Sequence, residues 1–295
     1  VRMLGQLPLV AEMEIVTVDD LLEIPGIGKA AFGQYGEAIG LSFIVQMVLM
    51  FVFFLVVRRV LPHEPDQVSL ADVLFSMVFF PILAFAAVWA SLELRHSVES
   101  RWQGTCFWSD LYLVLYVSRM LCHVLIQPFE NMSLALLLMM TFHHLVSMGC
   151  YILGLGLGRC HYWGCLDGCC EITTVFLNVF SLLNTAVEGK KLKEYLPAWV
   201  AAANGFALWL AFLFFRLMLF PYWLYGFHMD MRQEPEKTKG IVTNLERSIY
   251  PATTIVLLVL SCTWFVALTR GMVKSMSKAF KEEKVEMKKK MSKMS

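Results

Sequence analysis

The amino-acid sequence predicts an all-α membrane protein, a bundle of about seven transmembrane helices. Two observations carry this. The chain of 295 residues is 58% hydrophobic and only 17% charged, more apolar material than a soluble chain of this length needs for its core. Its apolar residues also gather in runs of about 20, the length at which an α-helix crosses the hydrocarbon of a bilayer.

Seven segments follow in order. The first, 39–60, has Gln46 as its strongest polar residue and ends in Arg58 and Arg59, where "RRVLPHEPDQ" (58–67) reads as a loop. The second, 70–92, is an apolar run. The third, 109–127, carries Tyr112, Tyr116, Arg119, His123 and Gln127, mostly three or four apart and so on one helical face. Pro128 breaks that helix, and Asn131 or Ser133 is placed to cap the fourth segment, 132–153, with His143, His144 and Ser147. In the fifth, 162–184, Asp167, Glu171, Thr174 and Asn178 fall at i, i+4, i+7 and i+11, one continuous polar stripe. The sixth, 198–226, carries Asn204 and Arg216 ahead of Pro221. The seventh, 249–269, has essentially no ionisable residues and no Asp, Glu, Lys, Arg or His, and the segment before it, 228–248, reads as the longest and most charged loop.

Lysine and arginine bias topology. With the C-terminus cytoplasmic, the inside pieces hold 14 of them and the outside pieces 9, nine of the 14 lying in the tail from Arg270. The expected orientation is N-terminus out, with a solvated basic tail inside that can touch anionic lipid heads. That tail has no aromatic interleaving, which argues against nucleic acid as a partner. Residues 1–38 show no charged n-region running into an apolar core, so the first span is expected to act as insertion signal.

An ionisable residue inside a spanning helix costs several kcal/mol unless it faces a partner or a cavity. Four successive helices each contribute polar residues, and the simplest packing turns them inward around a shared polar cavity. Its lining would be Arg119, His123, Ser147, Asp167, Thr174, Asn178, Asn204 and Arg216. Ser147, Asn178 and Asn204 are also what interhelical hydrogen bonding requires, and Glu171 is the natural counter-ion for Arg216. His143 and His144 favour use over packing, because imidazole titrates near neutrality and serves as acid, base or nucleophile. Lys190, Lys191, Lys193, Arg58 and Arg59 can gather phosphates at the cytoplasmic mouth, or simply satisfy the inside bias.

Other signals are weaker. "CHYWGCLDGCC" (160–170) offers zinc-ligand types without a C-x-x-C pair, and its cysteines read as small buried residues rather than as a metal site or a Cys160–Cys165 disulfide. "GLGLG" (154–158) and "IPGIGKAAFG" (24–33) lack the strand–helix context of nucleotide loops and read as flexible connections. Seven histidines with one adjacent pair do not make the several clusters of a histidine-box oxygenase. No internal repeat marks a repeat-built transporter. No cofactor and no metal are expected.

"FHHLVSMGCYILGLGLG", then "GCCEITTVFLNVFSLLN", then "NGFALWLAFLFFRLMLFPYWLY" resemble, in order and separation, the TLC-domain family, which includes the ceramide synthases. The resemblance implies an N-terminal extension (1–38), a first helix (39–60), a six-helix TLC domain (70–270) and a basic tail (271–295). It further implies the endoplasmic reticulum and a cavity for a membrane lipid or fatty acyl chain. In the synthase branch it implies acyl transfer from acyl-CoA to a sphingoid amine, with His143, His144 and Glu171 as the catalytic set. The chain departs from the second synthase motif, H-D-x-x-D: Cys170 stands for the histidine and Thr174 for the second aspartate. That is closer to the non-synthase branch, associated with membrane lipid composition. Three readings stay open: a lipid-homeostasis protein, a synthase-like N-acyltransferase with acyl-CoA as substrate, and a lipid transporter or cargo receptor. A homodimer is admitted as a partner.

Overall fold

The computed structural model describes residues 35–63, 66–130, 132–187 and 190–294, with side chains through Lys274. The stretch 24–33, nearly all of the 1–38 extension, Asn131 and the side chains of the tail lie outside the described residues. Seven helical stretches are long and apolar enough to span a membrane: Gly36–Val60, Gln67–Leu94, Val98–Phe129, Leu134–Leu157, His161–Asn184, Ala198–Gln233 and Asn244–Lys274. They overlap the seven expected segments.

The helices start and stop where local chemistry directs. α1 is Gly36–Val60 and α2 is Gln67–Leu94, capped by Asp66, whose carboxylate accepts from Ser69 N at 3.0 Å. A short α3, Val98–Gln103, is capped in the same way by Ser97 and leads into α4, Phe107–Ile126. Pro128 tightens the next turn to a 3-10 helix, Gln127–Phe129, and Ser133 caps α5, Leu134–Leu157. One expectation fails here. "GLGLG" is the last turn of α5 rather than a flexible connection. Gly158, at φ 61°, closes the helix in a Schellman motif, with Gly158 N donating to Leu155 O and Arg159 N to Gly154 O, both at 3.3 Å.

The fifth span is likewise two helices, α6 His161–Gly168 and α7 Glu171–Asn184. Cys170 N, Ile172 N and Thr173 N each reach back three residues instead of four, a tightened turn that breaks the predicted stripe between Asp167 and Glu171. After a two-residue hairpin, β1 Ala186–Val187 against β2 Lys190–Lys191, come α8 Ala198–Phe212, a π-helical turn Leu213–Met218 and α9 Leu219–Gln233. Pro221 lacks an N–H and crowds the carbonyl four residues earlier, and the widened π turn immediately precedes it. α9 thus extends well into the stretch read as loop. α10 starts at Asn244, its first turn held by a reciprocal Thr243–Glu246 capping box.

The closely packed helix pairs run α2–α4–α5–α10–α8/α9–α7 and back to α2, a ring of six, with α1 seated outside on α2 and α4. α1 is fixed by polar contacts in apolar surroundings: Gln46 Nε2 donates to Ser118 Oγ at 2.6 Å, and Ser42 shares a 2.7 Å bond with the same hydroxyl. α6 packs against α2, α4, α5 and α9 and closes one end of the ring. There Trp102, Trp163, Trp223 and Phe227 stack with centroids 4.6–5.9 Å apart. Asp230, buried on α9, takes a bidentate bond from Arg101 at 2.6 and 2.8 Å and one from Trp102 Nε1 at 3.0 Å.

Candidate functional site

α2 and α4 bring the first group together. Arg119 is fully buried and bonds Asp72 Oδ1 at 2.7 Å and Ser76 Oγ at 2.8 Å, with the Phe75 and Phe80 rings over its guanidinium at 5.2 and 5.8 Å. Asp72 and Ser76 sit one turn apart on α2, as Arg119 and His123 do on α4, so two helix faces meet edge to edge. His123 turns Nε2 towards Asp72 Oδ2 at 3.7 Å and Glu130 Oε1 at 3.8 Å. Glu130 follows the Pro128 turn. Burial, with the Asp72 charge adding and Arg119 opposing, pushes its carboxyl up to about 7.

α5 supplies the imidazoles. The His144 ring lies 4.8 Å from that of His123 and 5.2 Å from that of His143, forming a row of three. His144 is buried with neither ring nitrogen hydrogen-bonded, whereas His143 is half-buried. One turn on, Ser147 is buried, and Tyr112 and Tyr151 share a 3.2 Å bond.

α7 carries Glu171, Thr174 and Asn178 on one face. Glu171 is buried and accepts from Thr174 Oγ1 at 2.7 Å, and neither imidazole hydrogen-bonds it among the described residues. Arg216, on the π turn, is half-buried. It donates through Nε to Thr173 Oγ1 at 2.8 Å and stacks on Phe212 at 5.0 Å and Trp264 at 5.8 Å. It forms no ion pair with Glu171 among the described residues, which corrects the sequence expectation.

Asn204 Nδ2 ties α8 to the Phe176 carbonyl at 3.1 Å, while the Asn178 amide nitrogen is buried and unpartnered. Asp167 goes elsewhere. It lines a separate cavity of about 40 Å³, bordered also by Trp163, Tyr250 and Thr253 on the α6 side. The break after Gly168 puts it there: a Cβ at Gly168 would lie 2.2 Å from the Tyr112 hydroxyl, so the chain passes closer to α4 than an alanine allows. The cysteines of 160–170 are free and buried. His161, between them, bonds Gly154 O at 3.2 Å and Ser109 Oγ at 3.1 Å, leaving no nitrogen for a metal.

The TLC-domain family model matches residues 67–270. The chain belongs to the TLC-domain family. No curated protein and no solved structure matches it significantly. In this TLC-domain protein the matched region is the six-helix ring with α6, and α1 lies outside it. The ring brings Arg119, His123, His143 and His144 into one neighbourhood and Glu171, Thr174 and Arg216 into another. Sequence reading missed Asp72, Ser76 and Glu130. The available signal was the i, i+4 pair of Asp72 and Ser76 in an otherwise apolar segment, a face that only a second helix with a buried charge would want.

Proposed function

We propose that this multi-pass TLC-domain protein handles a membrane lipid, receiving its polar end inside the helix ring, and so influences membrane lipid composition. The observation that carries the reading is the contrast, within spanning helices, between half-buried Arg216 and His143 and the buried His144, which has two unused nitrogens. Groups of this kind in a spanning bundle call for a polar partner. A headgroup or an acyl carbonyl offers acceptors for Arg216, and its chain would lie along the apolar flanks of α5, α8 and α10.

The proposed site of action is the endoplasmic reticulum, with the tail cytoplasmic. Arg58 and Arg59 end α1, and Lys190 and Lys191 lie in the hairpin after α7. Alternation of spans puts both at the same end of the bundle. The test is lipid carried through purification. Wild-type protein should retain one lipid class by mass spectrometry, and Arg216→Gln and His143→Ala should lose it; an unchanged lipid profile would refute the reading.

The unused His144 nitrogens also favour a second reading, acyl transfer from acyl-CoA to a lipid amine. One imidazole would take the amine proton while the carbonyl carbon accepts the nitrogen and the CoA thiolate leaves. Glu171 is held by Thr174 and hydrogen-bonds neither histidine among the described residues, so the imidazoles carry this reading. Labelled acyl-CoA with a panel of sphingoid and other lipid amines separates the two. Turnover abolished by His144→Ala selects the transferase, and lipid retention without turnover selects the binding reading.

A further inference from the structure

We infer that Asp72, His123 and Glu130 form a binding site for a divalent transition-metal ion, of which Zn2+ is the probe, with His144 as a further nitrogen donor beside it. The Asp72–His123–Glu130 triad takes no part in the lipid reading, and only His144 is shared with it.

Distance is the first argument. The His123 Nε2 separations, 3.7 Å to Asp72 and 3.8 Å to Glu130, are too long for hydrogen bonds. Ligand atoms ~2.1 Å from a common ion at tetrahedral angles stand ~3.4 Å apart. One oxygen of each carboxylate and one nitrogen of His123 all lie within 4.8 Å of one another; the two His123 contacts close on one ion with a few tenths of an ångström of contraction, and the widest pair with up to ~1.4 Å, a side-chain adjustment. Groups in place to bond one another would be nearer.

Charge is the second argument. Arg119 uses Asp72 Oδ1 and leaves Oδ2 facing His123. Arg119 is bonded to Asp72 alone, and Glu130 has no guanidinium or ammonium partner among the described residues, so two carboxylates with side chains 9–10% exposed share one guanidinium. A low-dielectric site of that kind favours a cation. One imidazole and two carboxylates is a donor set suited to zinc and its first-row neighbours.

The third argument is His144, 5% exposed, both ring nitrogens unpartnered, its ring 4.8 Å from that of His123. An imidazole in that condition beside the triad lacks a purpose in packing alone. The elements also suit the task. Asp72 and His123 sit on rigid helices, and Glu130 arrives on the Pro128 turn, the one donor carried by a connecting segment.

The test uses full-length protein in detergent, purified without a metal-chelating tag, stripped with EDTA, and carrying Cys262→Ser to remove the exposed thiol. Zn2+ is titrated against a chromophoric chelator. Wild type should take up roughly one ion per chain with a rise in melting temperature. Glu130→Gln and His123→Asn should each weaken binding at least ~10-fold, and exposed His96→Ala should leave it unchanged. Each variant is compared only where its elution profile is monodisperse, and the two independent ligand variants guard against one failing to fold. Absence of Zn2+ binding by the folded wild type, or full affinity in either ligand variant, overturns the inference. Retained Zn2+ binding in His143→Ala with lost lipid would show the two sites failing or standing separately.

Discussion

Gly168→Ala tests the packing that holds α7 in place. Gly168 is the last residue of α6; within a helix alanine is favoured over glycine by ~1 kcal/mol, an upper bound on the gain at its end, so a reading from propensity alone expects stabilisation. The structure predicts the opposite sign. The new methyl would lie 2.2 Å from Tyr112 Oη, 2.3 Å from Cζ and 2.7 Å from Cε1. Tyr112 is fully buried, pinned by its bond to Tyr151 and by the Tyr116 ring at 5.7 Å, so it has no free rotamer to retreat into. Over-packing of this kind costs ~1–3 kcal/mol, and an overlap with a rigid ring belongs at the upper end. After the propensity gain the net loss is ~2 kcal/mol, or ~4–8 °C in melting temperature. The assay is thermal unfolding in detergent, with Gly149→Ala as control because nothing lies within 4 Å of its added methyl. Tyr112→Leu should recover part of the loss in the double variant. A Gly168→Ala protein as stable as wild type, with Gly149→Ala behaving alike, would refute the reasoning.

Three further outcomes follow from the same coordinates. Asp72→Asn strands the fully buried Arg119 charge and should cost ~3–5 kcal/mol, whereas Asp72→Leu with Arg119→Met should cost far less, since paired apolar replacement removes both desolvated charges; thermal melts of the two variants compare them. Gln46→Leu removes one of the two bonds from α1 to the Ser118 hydroxyl of α4 and should loosen that helix by ~0.6–1.7 kcal/mol, read as faster cleavage between α1 and α2 in limited proteolysis. Glu246→Gln weakens both the bidentate Arg159 contact and the cap of α10, and should lower stability by ~1.5–3 kcal/mol in a chemical-denaturant melt.

The seven spans were legible because hydropathy over 20 residues sums many weak preferences and tolerates local error. Single contacts were not. Asp72 is one carboxylate in a long apolar run, and its partner Arg119 stands 47 positions away, a pairing that helical periodicity cannot reveal. Periodicity did place Arg119 and His123 on one face, and Glu171, Thr174 and Asn178 on another. It failed at Gly168, where the break comes from the Tyr112 ring pressing on the backbone rather than from a proline. The same limit explains Arg216. Charge alone named Glu171 as its partner, while the π turn directs its Nε to Thr173.

That π turn has a consequence for chain length. A π turn holds one residue more than the α-helix that would replace it. Removing Leu217 would let Leu213–Met218 close into ordinary helix, leave Asn204 and Trp223 on their present faces, and carry Arg216 out of its place. The bundle would survive the deletion and the site would not. For this stretch the fold reads the chain in turns, whereas the chemistry reads it residue by residue.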